Sequence, residues 1–261
     1  MVLTFACGGC RGDGGGVARS TGNFPVGAGF SRHQILVEGK PQTLWVFVPK
    51  HYEPKHKYPT ILFLHGLFEA GDGNGNKCLA GGLAPVIAKQ AEDWPFITIF
   101  PQSDGNWKGE EHDQIAMAAL DFTAAHWSID QDRVILAGLS YGGLGTWEIG
   151  ANHPDRFAAL VPISGLSAPD HVERLANLPI WAFAYSGDPW VSSRDSESMC
   201  QSIHDRGGNA RLTEFIGIGH DCSEQAINDS QLVDWMLHQR RGVMPARPVN
   251  PAPTISVAHV E

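Results

Sequence analysis

Residues 133–145 read R-V-I-L-A-G-L-S-Y-G-G-L-G and run a short apolar strand directly into a serine with glycines around it. Gly138 and Gly142 lie two residues to either side of Ser140. A sharp strand-to-helix turn strains such a serine and brings neighbouring strands too close for side chains, so both positions need glycine. Residues 143–149 have the pattern of a helix start. The stretch therefore predicts that Ser140 is a nucleophile.

Two residues downstream supply the partners that a serine nucleophile needs. A serine hydroxyl requires a histidine to take its proton, and the histidine requires a carboxylate to fix its tautomer. Asp188 lies in S-G-D-P, just after the apolar run 180–185, and His220 lies in a glycine-flanked loop after the run 210–215. The order serine, acid, histidine matches one known arrangement of such triads. The sequence predicts a triad of Ser140, Asp188 and His220.

Each of these residues also has a purely structural interpretation. A lone G-x-S-x-G in a chain with 30 glycines is equally well explained by a plain turn. An aspartate in S-G-D-P often caps local amides, and a histidine after glycine is an ordinary loop residue. Asp195, in a predicted helix start, and Asp221, next to the histidine, compete for the role of the acid. Joint occurrence in the required order favours Ser140, Asp188 and His220.

The loop H-G-L at residues 65–67 follows the apolar run 60–64 and is expected to complete an oxyanion hole. One donor is the backbone amide of Tyr141 and the second is that of Leu67. Leu67 and Phe68 occupy the positions where an H-G-G-G loop has glycines. We therefore expect a narrower pocket for the acyl group of the substrate.

Three aromatic residues are predicted to bind substrate. Phe68, Trp107 and Trp190 each follow a predicted strand, and ligands bind at the carboxyl ends of strands in open α/β sheets. In the cleft they would favour an aromatic or flat apolar ester group. The alternative is that they pack beneath long loops, as we expect of Trp147 between the following helix and the sheet.

Strand and helix patterns alternate along the chain, which predicts an α/β fold with a mostly parallel central sheet and helices on both faces. One catalytic domain is expected over residues 29–241, between a glycine-rich flexible leader (1–28) and a proline-rich flexible tail (242–261). Predicted strands are 33–37, 43–48, 60–64, 96–100, 134–137, 157–163, 180–185 and 210–215; predicted helices are 83–91, 114–127, 143–149, 197–206 and 231–240.

Composition excludes several function classes. A net charge of -9 over 261 residues disfavours nucleic-acid partners and anionic membranes, and no apolar run reaches the roughly 20 residues of a membrane span. Cys7 and Cys10 have the spacing of a zinc or redox pair but lack a second pair, so we expect no metal and no cofactor. Residues 1–6 are apolar but too short for a complete export signal, which leaves the compartment unknown and an extracytoplasmic origin open.

Residues 138–165, G-L-S-Y-G-G-L-G-T-W-E-I-G-A-N-H-P-D-R-F-A-A-L-V-P-I-S-G, resemble a block of bacterial serine esterases related to feruloyl esterases and polyhydroxybutyrate depolymerases, often labelled predicted peptidases or prolyl-oligopeptidase-like. The resemblance extends over about residues 33–240. It includes Y-P-T-I-L-F-L-H-G-L-F-E-A-G-D-G-N from residue 58, F-P-Q-S-D-G-N-W from residue 100, I-D-Q-D-R-V-I-L from residue 129 and G-I-G-H-D-C-S-E-Q-A-I from residue 217.

The resemblance implies an α/β-hydrolase fold and cofactor-independent hydrolysis of carboxylic esters through an acyl-serine. The family's serine, aspartate and histidine fall on Ser140, Asp188 and His220. Three departures stand out: Tyr141 replaces a common methionine, Ala70 an arginine, and Cys222-Ser223 a tryptophan. The last two alter the rim of the pocket, so the family's substrate does not carry over.

The leading hypothesis is a carboxylesterase for small-molecule esters of short-chain or aromatic type, feruloyl or acetyl. A serine peptidase of the prolyl-oligopeptidase-like group ranks second, because no sequence pattern predicts a propeller that selects peptides. A non-catalytic binding module with a hydrolase fold ranks third, because such modules usually lose a triad member and this sequence keeps all three.

Overall fold

The computed structural model describes residues 28–71, 76–229, 231–243 and 255–259. The leader predicted over residues 1–28 lies outside the described residues except for its last position, and so do Cys7 and Cys10. No helix in these described ranges combines the length and the hydropathy needed to cross a bilayer.

Runs rich in β-branched and aromatic residues form one sheet, in the order β1-β2-β4-β3-β5-β6-β7-β8-β9. Strand β2 is antiparallel to both of its neighbours, and all other pairs are parallel. The strands are β1 (Gly29–Val37), β2 (Lys40–Val48), β3 (Tyr58–Leu64), β4 (Ile97–Pro101), β5 (Ile129–Leu139), β6 (Ala159–Ile163), β7 (Ile180–Tyr185), β8 (Ala210–Ile216) and β9 (Ile255–His259).

Helices cover both faces of this sheet, because successive side chains of each central strand point to opposite sides. In β3, Leu62 and Leu64 join the core beneath α2 to α5, whereas Ile61 and Phe63 join the core beneath α1, α6 and α7. The helices are α1 (Leu83–Lys89), α2 (Glu110–His126), α3 (Tyr141–Asn152), α4 (Val172–Leu175), α5 (Ser193–Asp205), α6 (Ser223–Asp229) and α7 (Leu232–His238). The predicted α/β class with a mostly parallel sheet is confirmed.

The parallel strands bring their carboxyl ends to one edge of the sheet. The loops after β3, β5, β7 and β8 therefore meet there, and they carry every residue of the predicted triad and oxyanion hole. This common edge is where a site can form.

Two differences from the predicted elements depend on distant parts of the chain. Strand β5 begins at Ile129 rather than at residue 134, and Arg240 and Arg241 pair with Asp130 and Asp132 in its polar first half. Strand β9 pairs in parallel with β8 within residues 242–261, a segment predicted to be a flexible tail. It covers the backbone edge that β8 would otherwise expose.

The contact between α3 and β3 leaves no room for a side chain on Gly142. A β-carbon there would lie 1.9 Å from the carbonyl oxygen of Leu64. We expect Gly142→Ala to lower the free energy of unfolding by about 3 kcal/mol, measured by denaturant titration, because the backbones must separate. Gly71→Ala, whose new methyl would meet only the flexible Lys77 side chain, is the matched control. Equal midpoints for the two variants would contradict this packing.

Candidate active site

Ser140 occupies the junction between β5 and α3, with backbone angles φ 57° and ψ -112°. A non-glycine residue in this region is strained by about 1–3 kcal/mol, which the surrounding structure must offset. Its own N–H donates to the carbonyl of Ile163 at 2.9 Å, and Leu144 N–H donates to its carbonyl at 3.0 Å. The turn is thus held from β6 and from α3, and the predicted strand–turn–helix is present.

Close backbone approach explains the glycines around this serine. A β-carbon on Gly138 would lie 2.2 Å from the carbonyl oxygen of Gly142. One on Gly143 would lie 2.6 Å from the α-carbon of Gly165, in the loop after β6. The turn that presents Ser140 is thus tightly folded on itself and packed against the loop after β6.

His220 and Asp188 form a tight pair at the ends of β8 and β7. The Nδ1 atom of His220 lies 2.6 Å from Oδ2 of Asp188, and the aspartate side chain is fully buried. The other oxygen, Oδ1, accepts the backbone N–H groups of Trp190 at 2.9 Å and Val191 at 3.0 Å. This arrangement leaves Nε2 of His220 as the nitrogen that can take a proton.

The competing carboxylates are engaged elsewhere. Asp221 accepts the backbone N–H groups of Gly82 at 2.8 Å and Ser223 at 3.0 Å, and Asp195 lies in the first turn of α5. Of the three candidate acids, Asp188 is the one paired with His220.

Ser164 is a residue that the sequence analysis missed. It follows β6 with a positive φ of 46°, and its hydroxyl donates to the backbone carbonyl of His220. The histidine loop is therefore tied to the strand beside the nucleophile. A serine after an apolar strand has no distinctive sequence signal, which is why the pattern did not reveal it.

His65 shapes the loop after β3 from inside the protein. Its Nδ1–H donates to the carbonyl of Gly66 at 2.8 Å, and its Nε2 accepts the backbone N–H of Ser103 at 3.0 Å. Burial lowers the pKa of His65 to about 4, so the ring is neutral at pH 7. A neutral imidazole is required here because an unprotonated Nε2 must accept the hydrogen bond from the N–H of Ser103.

Gln102 holds the same loop and was likewise missed. Its Nε2 donates to the carbonyls of Glu69 at 2.8 Å and Ser103 at 2.9 Å, while Oε1 accepts the N–H of Cys78 at 3.0 Å. The P-Q pair at the end of β4 belongs to the family resemblance but has no local signal for this role, because the role of Gln102 depends on contacts distant in sequence.

The role of the Leu67 and Tyr141 N–H groups as oxyanion donors remains a prediction, and both residues lie at the start of a helical turn. Leu67 begins a short 3-10 turn, Leu67–Glu69, and Tyr141 is the first residue of α3. Backbone N–H groups at such starts have no partner within their own helix. A β-carbon on Gly66 would lie 3.5 Å from that of Ser140, so the two turns are adjacent.

The aromatic predictions divide into two groups. Phe68 and Trp190 are exposed, at 72% and 64%, and their rings meet edge to face at 5.4 Å. The ring of Trp190 also lies 4.9 Å from that of His220.

The prediction that Trp107 binds substrate is wrong: its side chain is 0% exposed, and its Nε1–H donates to the carbonyl of His65 at 2.9 Å. This loop folds inward and supports the predicted oxyanion loop.

The three described cysteines, Cys78, Cys200 and Cys222, are buried and unpaired with one another. Burial raises the pKa of each thiol to about 12, which keeps it protonated and unreactive at neutral pH. Within the described ranges, His, Cys, Asp and Glu side chains form no cluster of three or more that could ligate a metal ion.

Removal of the indole N–H of Trp107 tests its supporting role. We expect Trp107→Phe to lower the free energy of unfolding by about 1–3 kcal/mol, because the buried carbonyl of His65 loses its partner. KM for an ester substrate should stay within about twofold, since the ring is enclosed. Trp235→Phe on α7 is the control. A large rise in KM with unchanged stability would restore Trp107 as a substrate contact.

Known proteins that are similar to this chain include hydrolases of several kinds. The prolyl oligopeptidase family model matches residues 101–187, which include Ser140 but neither Asp188 nor His220. The acyl-protein thioesterase 1 homolog 2 of Dictyostelium discoideum is 27% identical over 191 residues, covering 63% of this chain and 86% of that protein. Dipeptidyl-peptidase 5 of Porphyromonas gingivalis is 24% identical over 148 residues, covering 52% of this chain and 21% of the peptidase. The chain thus spans about a fifth of that peptidase.

Solved structures with similar folds include several esterases. A thermostable esterase is 27% identical, with a TM-score of 0.67 over 81% of this chain and 63% of the other. A ferulic acid esterase at 18% identity has a TM-score of 0.61, covers 80% of this chain and 98% of its own, and bears on the fold alone. The protein therefore has the α/β-hydrolase fold and is similar to serine hydrolases that include esterases, a thioesterase and peptidases.

Proposed function

We propose that the protein hydrolyses carboxylic esters through an acyl-enzyme formed on Ser140, with His220 as general base and Asp188 as the acid that orients it. The observation that carries this proposal is the 2.6 Å contact of His220 Nδ1 with a buried Asp188, at the same sheet edge as the strained Ser140. A buried carboxylate at Nδ1 fixes the tautomer that lets Nε2 accept a proton.

The chemistry runs in two halves. Ser140 Oγ attacks the ester carbonyl carbon while His220 Nε2 takes the hydroxyl proton, and the backbone N–H groups of Leu67 and Tyr141 stabilise the oxyanion. The histidine returns that proton to the departing alcohol. Water, deprotonated by the same nitrogen, then attacks the carbonyl carbon of the acyl-serine. The bond between the acyl group and Ser140 Oγ breaks, His220 returns the proton to Oγ, and the carboxylic acid is released. Asp188 stays ionised throughout and stabilises the imidazolium.

Apolar residues around the site suit an apolar or aromatic ester of a small molecule. Leu67, Phe68, Trp190 and Ile218 are all exposed in the loops after β3, β7 and β8. Because the Phe68 and Trp190 rings meet edge to face beside His220, a flat acyl or alcohol group can stack against them. The thioesterase and ferulic acid esterase among the similar proteins also act on acyl groups, as their names state.

Peptide hydrolysis is the second candidate. The match to the prolyl oligopeptidase family and the similarity to a dipeptidyl-peptidase favour it. The same serine chemistry cleaves amides, so the two activities differ in rate rather than in mechanism. Peptidase activity requires turnover of peptide amides at rates comparable with those of esters.

Replacement of the nucleophile tests the proposed function. We expect Ser140→Ala to lose p-nitrophenyl acetate hydrolysis by about 10⁴-fold or more and to lose labelling by a fluorophosphonate probe. Circular dichroism establishes that the variant is folded, and Ser202→Ala on α5 is the matched control. Undiminished hydrolysis by the folded Ser140→Ala variant would sink the proposal. An accompanying panel of p-nitrophenyl esters of rising chain length, feruloyl esters, acetylated sugars and peptide amides ranks the two candidates.

The exposed rim is tested by truncation of one ring. We expect Phe68→Ala to raise KM for a feruloyl ester by about fivefold, because a stacking partner worth about 1 kcal/mol is lost. KM for an acetyl ester should change by less than about twofold. Val243→Ala, at another exposed apolar residue, is the control. Equal changes for both esters would rule out aromatic selection by this rim.

A further inference from the structure

Glu69 places a half-buried carboxylate beneath the predicted oxyanion loop, and the mechanism above does not use it. A β-carbon on Gly66 would lie 2.8 Å from Oε2 of Glu69, and one on Gly81 would lie 2.7 Å from Oε1. These two glycines leave the space that the carboxylate fills. The backbone N–H groups of Gly66 and of Glu69 itself face the carboxylate and favour its ionised form.

A second carboxylate lies beside it. Oδ2 of Asp221, which accepts the N–H of Gly82, is 3.7 Å from the same β-carbon position on Gly81. Burial and the negative charge of Asp221 raise the pKa of Glu69, and a positive charge on His220 lowers it. Two carboxylates therefore lie on the same side of Gly81 and near His220, where positive charge develops during acylation.

Fold stability alone does not account for this pair. The side-chain amide of Gln102 already donates a hydrogen bond to the carbonyl of Glu69, and the indole N–H of Trp107 donates one to the carbonyl of His65. A partly desolvated carboxylate beside a like charge is unfavourable for folding, and an amide of the same shape would avoid that cost. Residues with such unfavourable electrostatics cluster at functional sites.

We propose that Glu69 is a positioning residue for ester hydrolysis, whose carboxylate fixes the His65–Gly66 peptide, and thereby the position of Leu67 beside Ser140, and supplies negative charge near His220. The inference rests on the proposed function. The carboxylate acts through its neighbours: it accepts the N–H of Gly66 and so fixes the segment that leads to Leu67, and together with Asp221 it places negative charge near His220, where positive charge develops during acylation. It takes no proton from the substrate.

Two variants separate charge from shape. Glu69→Ala removes the carboxylate and its contact with Gly66, whereas Glu69→Gln keeps an oxygen acceptor and removes only the charge. Glu224→Gln on α6, an exposed carboxylate paired with Lys89, is the matched control. The readouts are kcat and KM for p-nitrophenyl acetate, the rate at which a fluorophosphonate probe labels Ser140, and the thermal unfolding midpoint.

We expect Glu69→Ala to lower kcat and the labelling rate by about 10-fold to 100-fold, with KM within about twofold of wild type, because a displaced catalytic group loses rate rather than affinity. The kcat of Glu69→Gln should lie between those of Glu69→Ala and wild type. Its unfolding midpoint should equal or exceed that of wild type, because the repulsion between Glu69 and Asp221 is gone. The Glu224→Gln control should keep wild-type kinetics.

Wild-type kcat and labelling rate in Glu69→Ala overturn the inference, whatever happens to its stability. Should Glu69→Ala fail to fold, Glu69→Gln decides: reduced kcat at undiminished stability supports the inference, and unchanged kcat overturns it. A wild-type protein that neither hydrolyses esters nor reacts with the probe at Ser140 overturns the proposed function itself, which is a different result from an active wild type with an equally active Glu69→Ala.

Discussion

The structure depends on one close contact between backbones, where the first turn of α3 packs against the end of β3. A β-carbon on Gly142 would lie 1.9 Å from the carbonyl of Leu64 and 2.8 Å from that of His65. Because no side chain separates them, the start of α3 and the loop after β3 have fixed relative positions. Ser140 is forced to a positive φ of 57° between them. The same packing contact therefore fixes the positions of the nucleophile and of the predicted oxyanion donors.

Polar groups stabilise this contact from several neighbouring strands. The neutral ring of His65 and the amide of Gln102 hold the loop after β3, and the hydroxyl of Ser164 ties the histidine loop to β6. Asp188 is buried yet satisfied by two backbone N–H groups and His220. A charge buried in this way is costly unless paired, so the pairing constrains the geometry of the site. Rigid support of this kind is what pre-organised catalysis requires.

Sequence patterns predicted what local physics determines. The continuous apolar run 180–185 coincides with β7, because a strand buried on both faces needs apolar residues throughout. The spacing of Gly138 and Gly142 predicted the turn at Ser140, because a β-carbon at either position would clash with neighbouring backbone. The polar start of β5 and the burial of Trp107 were not predictable. The first depends on Arg240 and Arg241, far along the chain, and the second on whether a loop folds inward. Neither has a local signature.

The account's central claim is that Ser140 carries the acyl group during turnover. Mass spectrometry of the protein, quenched with acid within the first turnovers of a p-nitrophenyl ester, tests this most directly. The account predicts that the protein gains the mass of one acyl group, and that the group maps to the peptide containing Gly138 to Gly142 and is lost in Ser140→Ala. Acylation at another residue, or hydrolysis that survives Ser140→Ala, would contradict it.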